Sequence, residues 1–562
     1  MTQQKIRTCQ QCKKEFTIEN EDFAFYEKID VLEPTFCFYC RLQRKLAWRN
    51  ERVLYSRQCD LCHKSILALY PKQSPYIVYC HQCYWSDTWS GKAYAKEIDW
   101  SKPFFDQFAE LLRTVPHPAI YVDKDDNSEY TNFCYGIKNC YLTFGSDLSE
   151  DCYYSSHILE CKNCVDCINS DHLELCCGVV DCHQCFNTHY SQECSNMQDS
   201  YFCFDCKSCS YCFGCVGLRN KKYFIFNHPY SADEYAIKVK ELLQKYSKQE
   251  LEEKARQIKY TQPIKGTCIT QSENSTGDHL QNCSNAYYCF DSSELQNCRY
   301  MTKIIPKAFD CMDVYGGGID LEQCYEFLTG IGHNLRFSML CWKSVFDINY
   351  SILTNNAHDC FGCFSFYGGQ YAILNKEYSE EEYKKLYTQL IEYMKKTGEW
   401  GEFFPANISP FAYNETRAQI DFPLTKEGVE ARQWKWREDI QKTTGKETAN
   451  ITRLPHLAQQ VAEDIENAIF TCQTCKRNFK ILSQEFSFYQ KQNVFLPKEC
   501  YECRFQYLSQ KRNPYQLWER QCQCKNGNHG HTKQCQQKLE TTYAPERPEI
   551  VYCEECYRKE VV

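Results

Sequence analysis

Cys9, Cys12, Cys37 and Cys40 form the pattern C-x2-C-x24-C-x2-C, and Cys472, Cys475, Cys500 and Cys503 repeat that spacing without a residue of difference. A gapless comparison of residues 9–59 with the stretch 463 positions later gives 22 identities in 51, among them Phe16/Phe479, Phe23/Phe486, Pro34/Pro497 and Arg41/Arg504. The two ends are copies of one module. The match continues through Cys59/Cys522 and then, at an offset of 473, through Cys62/Cys535, Cys80/Cys553 and Cys83/Cys556, so ten residues are inserted between Cys522 and Cys535. Paired CxxC knuckles suit Zn2+: four thiolates satisfy its tetrahedral preference, and each knuckle supplies two of them from one tight turn. The expected ligands are Cys9, Cys12, Cys37 and Cys40; Cys59, Cys62, Cys80 and Cys83; Cys472, Cys475, Cys500 and Cys503; and Cys522, Cys535, Cys553 and Cys556, about four Zn2+ per chain. Such closed sites leave no position for water and are structural.

The middle of the chain is duplicated as well. Tyr223-Phe224-Ile225-Phe226-Asn227 before Tyr230-Ser231 matches Tyr371-Ala372-Ile373-Leu374-Asn375 before Tyr378-Ser379, and Cys212-Phe213-Gly214-Cys215 matches Cys360-Phe361-Gly362-Cys363. In the first copy, Cys140, Cys161, Cys182 and Cys203 lie 21 residues apart, as do Cys164, Cys185 and Cys206. A period near 21 with short β-prone pieces predicts a parallel β-helix-like solenoid with one period per coil and cysteines stacked inside. The second copy loses most of the middle cysteines. Ser231 with Glu234 and Ser379 with Glu382 read as capping boxes, opening helices over 231–246 and 379–396. Further helices are predicted over 101–114, 425–442 and 455–469.

The expected fold is multidomain α+β, with duplicated zinc modules flanking a two-lobed solenoid with helical insertions. It comprises a double zinc module (1–97), a helical linker (98–126), solenoid lobes with terminal helices (127–261 and 262–400), a connector (401–470) and the duplicate module (471–562). Cysteine makes up 42 of 562 residues. No apolar signal segment follows Met1, and no run of 18 apolar residues occurs, so a cytoplasmic location with reduced thiols is expected and a membrane partner is not.

Cys9-Gln10-Gln11-Cys12-Lys13-Lys14-Glu15-Phe16, then Asp22–Lys28, Pro34 and Cys37-Phe38-Tyr39-Cys40-Arg41, resembles the zinc-ribbon (treble-clef-like) domain family, and so does the copy at 472–504. Together the two matches cover about an eighth of the chain, and the resemblance implies zinc binding. The whole layout is similar to uncharacterised Cys-rich proteins of candidate-phyla bacteria. Some of these carry a CaiB/BaiF CoA-transferase label, an activity that no residue here supports.

Residues 1–97 carry a net charge of +4 and residues 472–562 of +5, leaving −17 for the middle of a chain whose net charge is −8. Four-thiolate zinc sites carry a formal −2 each, which removes most of the excess at the ends. A local patch survives in Arg41, Arg44, Lys45, Trp48, Arg49 and Arg52. On a helix starting at the second knuckle, most of these share one face that could meet phosphates, with Trp48 stacking on a base. The plainer readings are a solvated cationic face or a dock for the acidic solenoid. The insert carries Cys524, His529 and His531. It reads as a flexible polar loop, with an alternative ligand set or a separate metal contact as the sharper reading. The solenoid cysteines read as packing, with metal binding by Cys203, Cys206, Cys209, Cys212 and Cys215 as the alternative.

No P-loop, GxGxxG after a strand, GxSxG or HExxH occurs. Asp123–Asn127 begins like a calcium loop but then has Ser128 and Cys134 where Gly and the bidentate Glu belong. The reading that follows is a zinc-binding structural scaffold or interaction protein with a protein partner. The alternatives are an RNA- or DNA-binding protein acting through the zinc modules, and an enzyme on the solenoid surface.

Overall fold

The computed structural model describes residues 4–304, 307–319, 321–440, 443–461 and 465–561. Helices and strands are mixed, with four-cysteine clusters near both ends. The chain divides into two units, Met1–Ile120 with Thr267–Asp439 and Tyr121–Gly266 with Ile440–Val562. Each unit therefore joins a terminal module to the lobe that is not its neighbour in sequence. The segments 98–126 and 401–470, expected as a linker and a connector, are each divided between the units.

In unit 2, parallel pairing advances by twelve residues: Lys138 bridges Glu150, Tyr141 bridges Tyr153, and Ser156 pairs with Ile168, which bridges Val180. The chain winds in twelve-residue turns, not in the 21-residue coils expected from the cysteine spacing. The reason is a shorter repeat of three residues. One residue of each triplet makes the parallel bridge, the next is left-handed, and the third points inward. Asn139, Leu142, Leu148, Asp151 and Tyr154 all have φ between 49° and 56°. Four triplets make a winding. Cysteines 21 apart are seven triplets apart, so they share the inward position without lying above one another. The true stack is Cys140, Cys152, Cys164 and Cys176, all buried.

The inward slot also explains the cysteine content. Its backbone N–H takes no part in the parallel ladder and is met by a side chain one winding earlier: Ser149 Oγ accepts from Cys161 N at 3.1 Å and Ser155 Oγ from Cys167 N at 3.1 Å. The inward hydroxyls and thiols in turn donate to main-chain carbonyls, as Ser146 Oγ does to Phe144 O at 3.0 Å and Cys152 Sγ to Glu150 O at 3.3 Å. The slot thus favours a small side chain with a rotatable donor, and cysteine adds apolar character. Burial raises the Cys152 and Cys176 thiols well above their ordinary range, which keeps them protonated.

In unit 1 the lobe is less regular. The register is 11 at Ile269↔Leu280, 12 at Phe290↔Thr302, 13 at Thr302↔Tyr315 and 11 again at Leu328↔Met339. One-residue changes break any fixed period, and this hid the second lobe's repeat from sequence. Its interior mixes Cys298, Cys311, Cys324 and Cys341 with Met301, Val314, Phe327 and Leu335.

Each lobe ends in a short antiparallel hairpin followed by a helix, Ala232–Lys245 or Glu380–Thr397, with the Ser231/Glu234 and Ser379/Glu382 capping boxes in place. A second box, Ser247/Glu250, opens the helix Lys248–Lys259. The helix expected over 101–114 spans Phe104–Thr114. The helices expected over 425–442 and 455–469 do not form. The first shrinks to Lys426–Glu430 and the second to the single 3-10 turn Ala458–Gln460, with residues 441–442 and 462–464 outside the described residues. The first is held by its own segment, where Tyr413 N donates to Lys435 O at 2.7 Å, and the second by the module, where Leu496 N donates to His456 O at 2.8 Å.

The slot's size is testable at Cys164, which has thiol neighbours in its own winding and in the windings on either side. Cys164→Leu is expected to cost about 1–3 kcal/mol from overpacking, lowering the urea midpoint, whereas Cys164→Ser keeps the donor and lowers it less. Equal midpoints for Leu and wild type would contradict a size-limited interior.

Candidate metal centres

The sixteen expected cysteines gather into four sets, each with its thiols within 4.8 Å of one another and each able to hold a metal ion. All four sets are built alike. The first knuckle turns at the end of a β-strand: Lys5–Thr8 pairs antiparallel with Glu15–Ile18, Tyr55–Gln58 with Ser65–Ala68, Phe470–Thr471 with Asn478–Phe479, and Trp518–Gln521 with Lys538–Thr541. In three of them the residue after the knuckle is left-handed: Lys13 (φ 61°), His63 (φ 60°) and Lys476 (φ 63°). The second knuckle begins a helix. Cys37, Cys80 and Cys500 occupy the N-cap positions of Phe38–Leu46, His81–Tyr84 and Tyr501–Ser509, and Cys553 directly precedes Glu554–Val561.

This geometry favours one thiolate in each set, at Cys37, Cys59, Cys472 and Cys553. Backbone N–H groups point at sulfur: Cys37 N donates to Cys9 Sγ at 3.4 Å, Cys80 N to Cys59 Sγ at 3.2 Å and Cys553 N to Cys522 Sγ at 3.2 Å. Burial pushes the Cys59 thiol up, but the N–H groups of Cys62 and Cys80 outweigh it and bring the thiol down to about 7. Cys472 reaches about 7 by the same balance, with the N–H groups of Cys475 and Cys500. Cys37 falls to about 5, chiefly through the hydrogen bond from the Cys40 thiol. Burial and the neighbouring thiols push most of the others up, as at Cys12, Cys80 and Cys500, and a cation at the centre would favour the thiolate form in all four.

The patch read as a candidate phosphate surface lies inside unit 1. Arg41, Arg44, Lys45, Trp48, Arg49 and Arg52 are all buried, with Arg41 2% exposed and Lys45 1%. Arg41 Nε pairs with Asp313 at 2.8 Å, and Lys45 Nζ donates to Asp313 O. Arg44 spans Glu326 at 2.6 Å and Glu402 at 2.8 Å. Trp48 packs on Phe404 and donates to its carbonyl at 3.3 Å, and Arg49 pairs with Glu51 at 2.5 Å. The helix docks on carboxylates of the lobe and of the segment that follows it.

The copy docks in the same way in unit 2. Arg504, the counterpart of Arg41, pairs with Asp166 at 2.8 Å, and Arg512 with Asp181 at 2.9 Å. Asp22 accepts from Tyr300 Oη at 2.8 Å in unit 1, and its counterpart Glu485 accepts from Tyr154 Oη at 2.8 Å in unit 2. These carboxylate partners are what sequence reasoning missed. They lie at left-handed corners of the windings, Asp166 at φ 55° and Asp313 at φ 65°, and only the twelve- or thirteen-residue register would have placed them together.

Cys524, His529 and His531 do not form a loose loop. Cys524 and His529 are buried, and both sit against the fourth thiol set. No helix among the described residues is long and apolar enough to cross a membrane. No family model matches this chain, and no curated protein does.

Two outcomes test the docking. Burial pushes the Glu326 carboxyl up to about 7, with Arg44 opposing. Arg44→Met removes that nearest cation and should cost about 3–5 kcal/mol, while Arg44→Met with Glu326→Leu should recover most of the loss. A free glutamate titrates at about 4.3, so between there and about 7 the folded unit holds the extra proton. Through that window this group's contribution to stability falls as pH rises. Glu326→Gln should flatten the pH dependence of the urea midpoint there, and an unchanged slope would refute the assignment.

Proposed function

We infer that the protein is a zinc-stabilised structural scaffold or interaction protein. In this reading, treble-clef-like zinc modules lock onto the two lobes of a parallel β-helix-like solenoid. The observation that carries it is the repeated docking. In each unit, the helix launched from a four-thiol set inserts its arginine against a buried carboxylate of the lobe. Metal at the thiol set fixes the start of that helix and hence the position of the arginine, so the ion would act at a distance as a structural clamp. The closed four-thiol sets suit an ion that stays in place. Zinc fits them best because it takes tetrahedral thiolate coordination without redox chemistry. A long regular surface of parallel windings suits the binding of a protein partner.

The second reading, RNA or DNA binding through the modules, would have to rely on cations other than Arg41, Arg44, Lys45, Arg49 and Arg52, whose side chains are buried in unit 1.

Protein purified natively should contain at least four zinc ions per chain, with all 42 cysteines of the sequence free after denaturation in chelator. Chelation of the folded protein should lower its thermal midpoint and expose the docked helices to proteolysis. Fewer than four ions, or disulfides in place of thiols, would refute the clamp. Tight binding to generic RNA or DNA that weakens about tenfold or more between 50 and 200 mM salt would move the second reading ahead.

A further inference from the structure

We propose that the carboxy-terminal module holds a two-metal centre in which Cys556 bridges the ion of the Cys522–Cys535–Cys553–Cys556 set to a second ion held by Cys524, His529 and His531. The proposal rests on the reading of the terminal thiol sets as metal sites and adds one ion to it. Cys524, His529, His531 and Cys556 form a group whose ligand atoms lie within 4.8 Å of one another, and Cys556 belongs to both groups. Cys524 Sγ is 3.2 Å from His529 Nδ1, and Cys556 Sγ is 3.6 Å from His531 Nε2. Two thiolates and two imidazoles complete a tetrahedral set, and thiolate sulfur has lone pairs enough to bind two ions at once.

The surroundings set both histidines for this role. His531 Nδ1 lies 2.7 Å from Lys533 O. A carbonyl only accepts, so the proton sits on Nδ1 and the Nε2 lone pair faces Cys556. His529 Nε2 lies 3.4 Å from the Glu560 carboxylate and 3.2 Å from the Asn526 amide nitrogen. Asn526 Nδ2 also donates to Glu560 at 3.1 Å, and with Nε2–H donating to the same carboxylate the Nδ1 lone pair faces Cys524. A carboxylate or carbonyl behind each ring is the usual support of a metal-bound histidine. Gly530 joins the two histidines at φ 94°, a left-handed conformation that a bulkier residue would resist and that lets both rings turn to one side. Cys556 and Glu560 lie four residues apart on the Glu554–Val561 helix, so one helical face supplies the bridge and the second-layer carboxylate.

The insert thus supplies three ligands and borrows the fourth. The matching position of the amino-terminal module, where Cys59 and Cys62 are only three apart, offers no such residues. That module serves as an internal control with one ion per set.

The experiment is metal analysis of the full-length, natively purified protein, wild type against His529→Ala/His531→Ala and against Cys524→Ser. Five ions per wild-type chain and four in each variant are expected, with thermal midpoints of the variants showing that they fold. Cadmium-113 exchanged into the wild type should give two resonances that split each other through the shared sulfur, and the splitting should vanish in the double variant. Four ions in wild type and variants alike, or five with no mutual splitting, would overturn the two-metal centre while leaving the structural clamp intact. Fewer than four would overturn the clamp itself.

Discussion

The width of the winding controls most of this molecule. With three residues per side and four sides per turn, the inward side chains of one winding meet across a narrow interior that accepts few shapes. Among the buried interior residues of the second lobe the aromatic ones are few, Phe327 and Phe366. In the first lobe, where the register stays at twelve, the interior is mostly Cys, Ser and Thr with aliphatics up to Leu173 and Met197. The same geometry requires a left-handed residue in every triplet, a conformation that costs non-glycine residues of order 1–3 kcal/mol when nothing else enforces it. Here the ladder enforces it, because the left-handed residue donates its N–H to the winding before, as Asn139 does to Asp126 O at 3.0 Å.

These left-handed corners also carry the docking contacts. A side chain at a corner projects away from the winding, and successive corners stack. Asp166, Asp181, Asp313 and Glu326 are corner residues, and they receive the arginines of the knuckle helices. The acidic balance of the middle of the chain and the basic balance of its ends partly reflect the opposing faces of these internal interfaces. That is why a patch that looks suited to phosphate in sequence is buried in the structure. Arginine suits the role because its charge persists on burial and its planar group can engage a carboxylate while lying over a ring, as Arg504 does over Tyr154.

Local chemistry was legible in sequence and register was not. The knuckles were readable because their ligands are close in sequence and repeated four times. The capping boxes at Ser231 and Ser379 were readable because a cap depends on four consecutive residues. The inward pattern was half readable. The 21-residue recurrence of Cys140, Cys161, Cys182 and Cys203 is a true multiple of the triplet but not of the winding, and nothing in one lobe's spacing separates the two. The helices expected over 425–442 and 455–469 failed because these stretches are held by turns and backbone bonds to other segments, as Lys435 is by Tyr413 and Ala458 by Val494. Val429 is buried at the end of a five-residue helix. The docking partners were hidden for a related reason: Arg44 and Glu326 are 282 positions apart.

Each module could in principle dock on either lobe, since both lobes offer a tyrosine and an aspartate at equivalent corners. The next corner decides between them. In the second lobe the corner one winding beyond Asp313 is Glu326, which takes Arg44 and lies near Lys45. In the first lobe the corner one winding beyond Asp166 is Gly178, with no charge to offer. The modules differ to match. Where the amino-terminal helix has Arg44 and Lys45, its copy has Tyr507 and Leu508, and Leu508 is buried. The amino-terminal module on the first lobe would set Arg44 against a glycine and take away its Glu326 partner, and losing one partner of a buried ion pair is costly. The carboxy-terminal module on the second lobe would leave Glu326 unpaired at the same cost. Two mismatches of this kind are enough to select the exchanged arrangement over the sequence-adjacent one, and they account for the divergence of two helices that begin from the same four-cysteine set.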